Sequence, residues 1–104
     1  MELKTPNQMK TEIFNEYTEK LLNVFDITRD EMFSKSKRRD LVDARQTLYY
    51  ACSKRPMRVV YIQKYMKESG YDVGHTTILH GIKEIEKRVK SDKDYADLLK
   101  QLKS

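Results

Sequence analysis

An all-α fold is the class this sequence predicts, and three observations predict it. The 104 residues contain only 3 Gly and 2 Pro, too few for the turns of a small sandwich or barrel. Apolar residues recur at spacings of three and four through most of the chain. The one β-branched run, Val59-Val60 with Tyr61-Ile62, has no second strand-like segment to pair with. The expected architecture is a compact bundle of five main helices plus a short helical turn, a single domain over residues 1–104.

The first helix is expected over about residues 7–25, where Met9, Ile13, Tyr17, Leu21 and Val24 form a stripe that Phe14, Leu22 and Phe25 widen. Thr28 and Glu31 have capping-box spacing and start the short turn that carries Met32 and Phe33. After the basic connector SKSKRRD, Asp40 is the expected N-cap of a helix with Leu41, Ala44, Leu48, Ala51 and Cys52 on its core face. Cys52 therefore reads as a small buried hydrophobe, and the lone thiol excludes an internal disulfide. Pro56 suits the first turn of the next helix, in which Val59, Ile62 and Met66 keep the periodicity. SGYDVG, with Gly70 ending the helix, is a turn. A helix from about Gly74 follows, and Ser91 with Asp94 suggests a capping box for the last one, carrying Tyr95, Leu98, Leu99 and Leu102.

Charge is unevenly placed. Residues 1–33 hold four basic and seven acidic side chains, whereas Lys35 to Arg58 holds eight basic residues against Asp40 and Asp43, a local +6 within an overall +5. Such a block is the footprint of a surface that meets a polyanion. No apolar run reaches the roughly 18 to 20 residues of a membrane span, and the first residues lack a signal-peptide core, so a cytoplasmic protein with no membrane partner is expected.

In the helix after Gly74, Ile78, Ile82, Ile85 and Val89 face the core, and Thr76, His80, Lys83 and Lys87 project oppositely. His75 and Thr77 flank this outer face where free N–H groups favour an anion. A helix, a turn and a second helix that opens on small hydrogen-bonding groups, about residues 56–90, is the arrangement of a helix-turn-helix. Threonine suits a thymine methyl or a base edge, and histidine suits guanine acceptors. His75 and His80 lie about 140° apart around the axis and do not make a metal pair. No nucleophile–base pair, paired carboxylates or phosphate loop is present, so neither enzymatic activity, a cofactor nor a small-molecule substrate is expected.

DARQTLYYAC (43–52) and GHTTILHGIKEIEKRV (74–89) together resemble the C-terminal DNA-binding domain of the bacterial replication initiator DnaA, over about Thr11 to Leu102. The resemblance implies a Trp-repressor-like helix-turn-helix fold and double-stranded DNA as partner. It implies base reading by His75 and Thr76, with Lys37 at the family's minor-groove arginine. It also implies a phosphate contact by Thr77, a backbone contact by Arg45, and polar recognition-helix roles for His80 and Lys83. Arg38, Arg39, Lys54 and Lys87 complete the expected backbone-binding set by charge and position.

Two departures from the family pattern stand out: Gly74 replaces its aspartate, and the turn is about four residues longer. The family's separate ATPase domain is not in this sequence, so the resemblance leads to an expectation of a freestanding reader acting in replication or transcription control, in a bacterial or phage-infected cell. A structural or protein-interaction module, for which Tyr49, Tyr50, Tyr61 and Tyr65 would supply contacts, is the alternative, with RNA binding as a third reading.

Overall fold

Thr5 starts the first helix one residue earlier than the periodicity alone indicates. In the computed structural model, which describes residues 3–103, its hydroxyl accepts the Gln8 N–H while the Gln8 side chain accepts the Thr5 N–H at 2.8 Å, and Pro6 takes the first helical position. Helix α1 runs Pro6–Phe25 and stops at Asp26, whose left-handed φ of 53° turns the chain. The predicted Thr28–Glu31 capping box forms and opens α2, Arg29–Met32. The remaining helices are α3 (Arg39–Ser53), α4 (Val59–Glu68), α5 (His75–Ser91) and α6 (Lys93–Lys103). Among the described residues every regular element is helical, in a body of 41 × 28 × 26 Å, and no helix is long and apolar enough to cross a membrane.

Helix α3 is the centre of the bundle, packed between α1 and α5, while α4 and α6 both lie against α5. Leu41, Ala44, Leu48, Ala51 and Cys52 are all buried as expected, and burial pushes the Cys52 thiol up to about 12. They meet Phe14, Tyr17 and Leu21 of α1, Ile62 and Met66 of α4, and Ile78 and Ile85 of α5 in one core.

Four local expectations are corrected. The stripe of α1 is centred on Phe14, Tyr17, Thr18 and Leu21, so Met9 and Val24 remain about half exposed on its flanks. Arg38, not Asp40, is the N-cap of α3; Asp40 lies in the first turn, where its carboxylate accepts from Arg38 Nε at 2.7 Å and from the Leu41 N–H. Helix α4 begins at Val59 rather than Pro56, because Met57 folds into the core with its N–H on the Cys52 carbonyl, and Pro56 is left in the turn. Ser91 ends α5, its hydroxyl donating to the Lys87 carbonyl, and it is Asp92 whose carboxylate accepts the Asp94 N–H at the start of α6.

Candidate nucleic-acid interface

Helix α5 is held by its inner side. Ile78 and Ile85 are buried, Ile82 and Val89 are half-buried, and Gly81 packs directly on α3. A Cβ on Gly81 would stand 3.0 Å from both Gln46 Cγ and the Tyr49 ring, so this glycine sets how closely the two helices approach. At the far end Arg88 donates to the Asp43 carboxylate at 2.8 Å and to the Tyr95 hydroxyl at 2.9 Å, tying α5 to α3 and α6. With the inner side spent in this way, His75, Thr76, Leu79, His80, Lys83 and Lys87 are all exposed.

The turn before α5 is closely fastened despite its length. Gly70, at φ +102°, ends α4 with its N–H on the Lys67 carbonyl while the Tyr71 N–H reaches Met66, the paired bonds of a Schellman motif. Gln63 of α4 donates to the Val73 carbonyl at 2.9 Å, and the Val73 side chain is buried. Gly74 is the N-cap of α5 and contributes no side-chain bond to its first N–H groups.

Arg45 connects this turn to the basic connector. Only 4% exposed, it donates through Nε to the Met32 carbonyl at 2.7 Å and through one terminal nitrogen to the Ser34 and Ser36 carbonyls at 3.0 and 2.7 Å. Its other terminal nitrogen reaches the Tyr71 hydroxyl at 3.4 Å, with the guanidinium 4.7 Å from the Tyr71 ring centre. The side chain expected on the DNA backbone is thus placed inside, bound to the protein's own carbonyls.

The other expected residues divide. Lys37 and Thr77 line one shallow pocket of about 180 Å³ together with Val42, Arg45, Gln46, Tyr49 and Tyr71, so the connector and the start of α5 meet on one side of the molecule. Arg38 is engaged by Asp40 and Glu31, the latter at 3.1 Å. The Thr28 N–H, with Arg38, holds the Glu31 carboxyl below the usual range, and Arg38 does the same for Asp40. Arg39 is three-quarters exposed, with a 3.4 Å contact to Asp43. Lys54 stands at the other end of α3, about 20 Å from the connector by helical rise, over the Tyr50 ring.

Sequence reasoning missed Gln63, Tyr71, Gly81 and the Asp43–Arg88 pair. Only Gly81 carried a local signal, a glycine inside an otherwise good helix. The pairings across 45 residues, as for Asp43 and Arg88, have no signature in sequence spacing.

Over 91 aligned residues, covering 85% of this chain, the sequence is 31% identical to the chromosomal replication initiator protein DnaA of Wolbachia sp. subsp. Brugia malayi (strain TRS). The chain is DnaA-like. A second DnaA, from Wolbachia pipientis wMel, is 30% identical over the same length. In both comparisons the chain spans 18% of the relative, so the similarity concerns one region of a much longer initiator. No family model matches the chain.

Proposed function

We propose that the chain binds double-stranded DNA sequence-selectively, with α4, its turn and α5 acting as a helix-turn-helix. Helix α5 enters the major groove N-terminus first, His75 and Thr76 read base edges, and Thr77, His80, Lys83 and Lys87 meet phosphates. Lys37 reaches the neighbouring backbone or minor groove, with Arg38 and Arg39 beside it. The observation that carries this reading is the shared pocket of Lys37 and Thr77: a duplex reader needs connector and recognition helix on one side, and they are neighbours. The similarity to DnaA supports a role in replication control; in this proposal the region contributes binding and no catalysis.

The protein-interaction alternative loses its main support, because Tyr49, Tyr50 and Tyr65 are buried and Tyr61 is half-buried under Lys10. The test is binding to duplexes selected from a random pool. Log K should fall against log salt with a slope of about −5 to −6, as for about five to seven neutralised phosphates. Replacing both His75 and Thr76 by Ala should leave the melting temperature nearly unchanged and remove about 1 to 3 kcal/mol of discrimination per lost base contact. Salt-insensitive binding would remove the nucleic-acid reading, and lower stability with unchanged discrimination would make the triplet a structural cap.

A further inference from the structure

Where α1 ends, apolar surface is left uncovered. Val24 is 47% exposed, and with Phe25 it lines a groove of about 440 Å³ whose other wall is Tyr95 and Leu98 of α6. The charged residues lining this groove are Asp94 and Asp97, and among the described residues neither carboxylate has an ion pair or a hydrogen bond. An apolar trough with two unanswered negative charges runs against a chain whose net charge is +5.

Its complement stands on another helix of the same chain. The buried side of α4 is Ile62, Tyr65 and Met66, and at about 100° per residue Val60, Lys64 and Lys67 fall together on the opposite side, within an arc of about 60°. All three are exposed, Val60 by 51%, and neither lysine has a carboxylate partner among the described residues. From Val60 to Lys67 the stripe covers about 10 Å of helix, the same length as the α6 wall from Asp94 to Gln101. Both surfaces face solvent in one molecule, so they do not meet within it.

We infer that the groove takes α4 of a second copy of this chain, with Val60 seated against Val24 and Leu98 and with Lys64 and Lys67 paired to Asp94 and Asp97. Groove and stripe are different surfaces, so the contact is head-to-tail and open-ended, each added copy bringing a free groove or a free stripe for the next. This inference does not rest on the DNA-binding reading, which assigns no contact to these residues. Two turns of helix bury less area than a standard interface, so the association is weak and belongs to high protein concentration.

Sedimentation equilibrium of the full chain should show a weight-average mass that rises past the dimer as concentration approaches about 1 mM. Two charge-reversed variants test the contact. Asp94→Lys with Asp97→Lys makes the groove basic like the stripe, and Lys64→Glu with Lys67→Glu makes the stripe acidic like the groove. Each variant alone should associate at least about tenfold more weakly than wild type, because like charges then face each other. Mixed in equal amounts they should associate again, since each variant's groove meets the opposite charge on the other's stripe. Melting temperatures near that of wild type check that these surface replacements keep the fold, and the milder Asp94→Asn with Asp97→Asn, which keeps the shape of α6, should weaken association in the same direction. A wild type that stays monomeric over this range, a mass that levels off at the dimer, or folded variants whose mixture associates no better than either alone overturns the proposal.

Discussion

Lys83 and Lys87 on α5 and Arg38 and Arg45 at the connector add equally to the positive charge of the chain, but they are spent differently. On α5 the only ion pair of these lysines among the described residues is a 3.6 Å contact from Lys87 to Glu84, and both ammonium groups stand in solvent. At the connector Arg38 is divided between Glu31 and Asp40, and Arg45 has four of its five N–H groups on the protein's own oxygens. One region offers charge to a partner; the other uses charge to hold its shape. A count of basic residues locates both regions and cannot separate them.

The largest effect that would break this contrast is expected at Arg45. Arg45→Ala strands the Met32, Ser34 and Ser36 carbonyls and should cost about 2 to 4 kcal/mol in urea unfolding. At a temperature where the variant is still folded, its salt slope should stay close to that of wild type. A drop of about 0.9 with intact stability would instead return Arg45 to the DNA backbone.

Next in size is Gly81→Ala. The added methyl gains about 1 kcal/mol of helix propensity but meets Gln46 and Tyr49 at 3.0 Å, and overpacking of this kind costs about 1 to 3 kcal/mol. Melting should show a net loss of about 1 kcal/mol, with reduced cognate-to-random discrimination because α5 is pushed off α3. Unchanged discrimination would mean that Gln46 yields and the helix does not move.

Salt dependence sharpens the comparison further. Lys83→Ala and Lys87→Ala should each reduce the slope by about 0.9, whereas Arg38→Ala, whose charge is already met by carboxylates, should reduce it by less than about half that amount. Equal reductions would show that Arg38 leaves Asp40 and Glu31 when DNA arrives.

The smallest effect is at acid pH. Both carboxyls that hold Arg38 have folded values below the ordinary 4.5 of Glu31 and 3.8 of Asp40, so their contribution is fully present above those values. It is lost as pH falls through the lowered values, when the carboxyls protonate and release the guanidinium. Arg38→Ala should therefore narrow its stability gap to wild type below about pH 4, as followed by urea titration at several pH values; a gap that widens there would contradict the pairing.

Local chemistry was legible where neighbours in sequence decide the outcome. The Thr28–Glu31 capping box, the turn at Gly70, the buried face of α3 and the exposed face of α5 all follow from residues within a turn or two of one another. Where two local signals competed, the tertiary contact chose: Met57 went to the core and delayed α4, and Asp92 displaced Ser91 at the start of α6.

By itself, then, the sequence determined an all-helical chain with a polar, basic recognition-like helix and a basic stretch some forty residues before it. Helical periodicity and capping are short-range, so they can be read along a line. Only the tertiary structure decided which of those charges face out. Arg45 turns inward because the connector's carbonyls need donors once that loop folds over α3, and Lys37 comes to lie beside Thr77 because Gly81 lets α5 settle closely on α3. Those outcomes depend on backbone groups and close approaches between distant segments, which residue types and spacing do not encode.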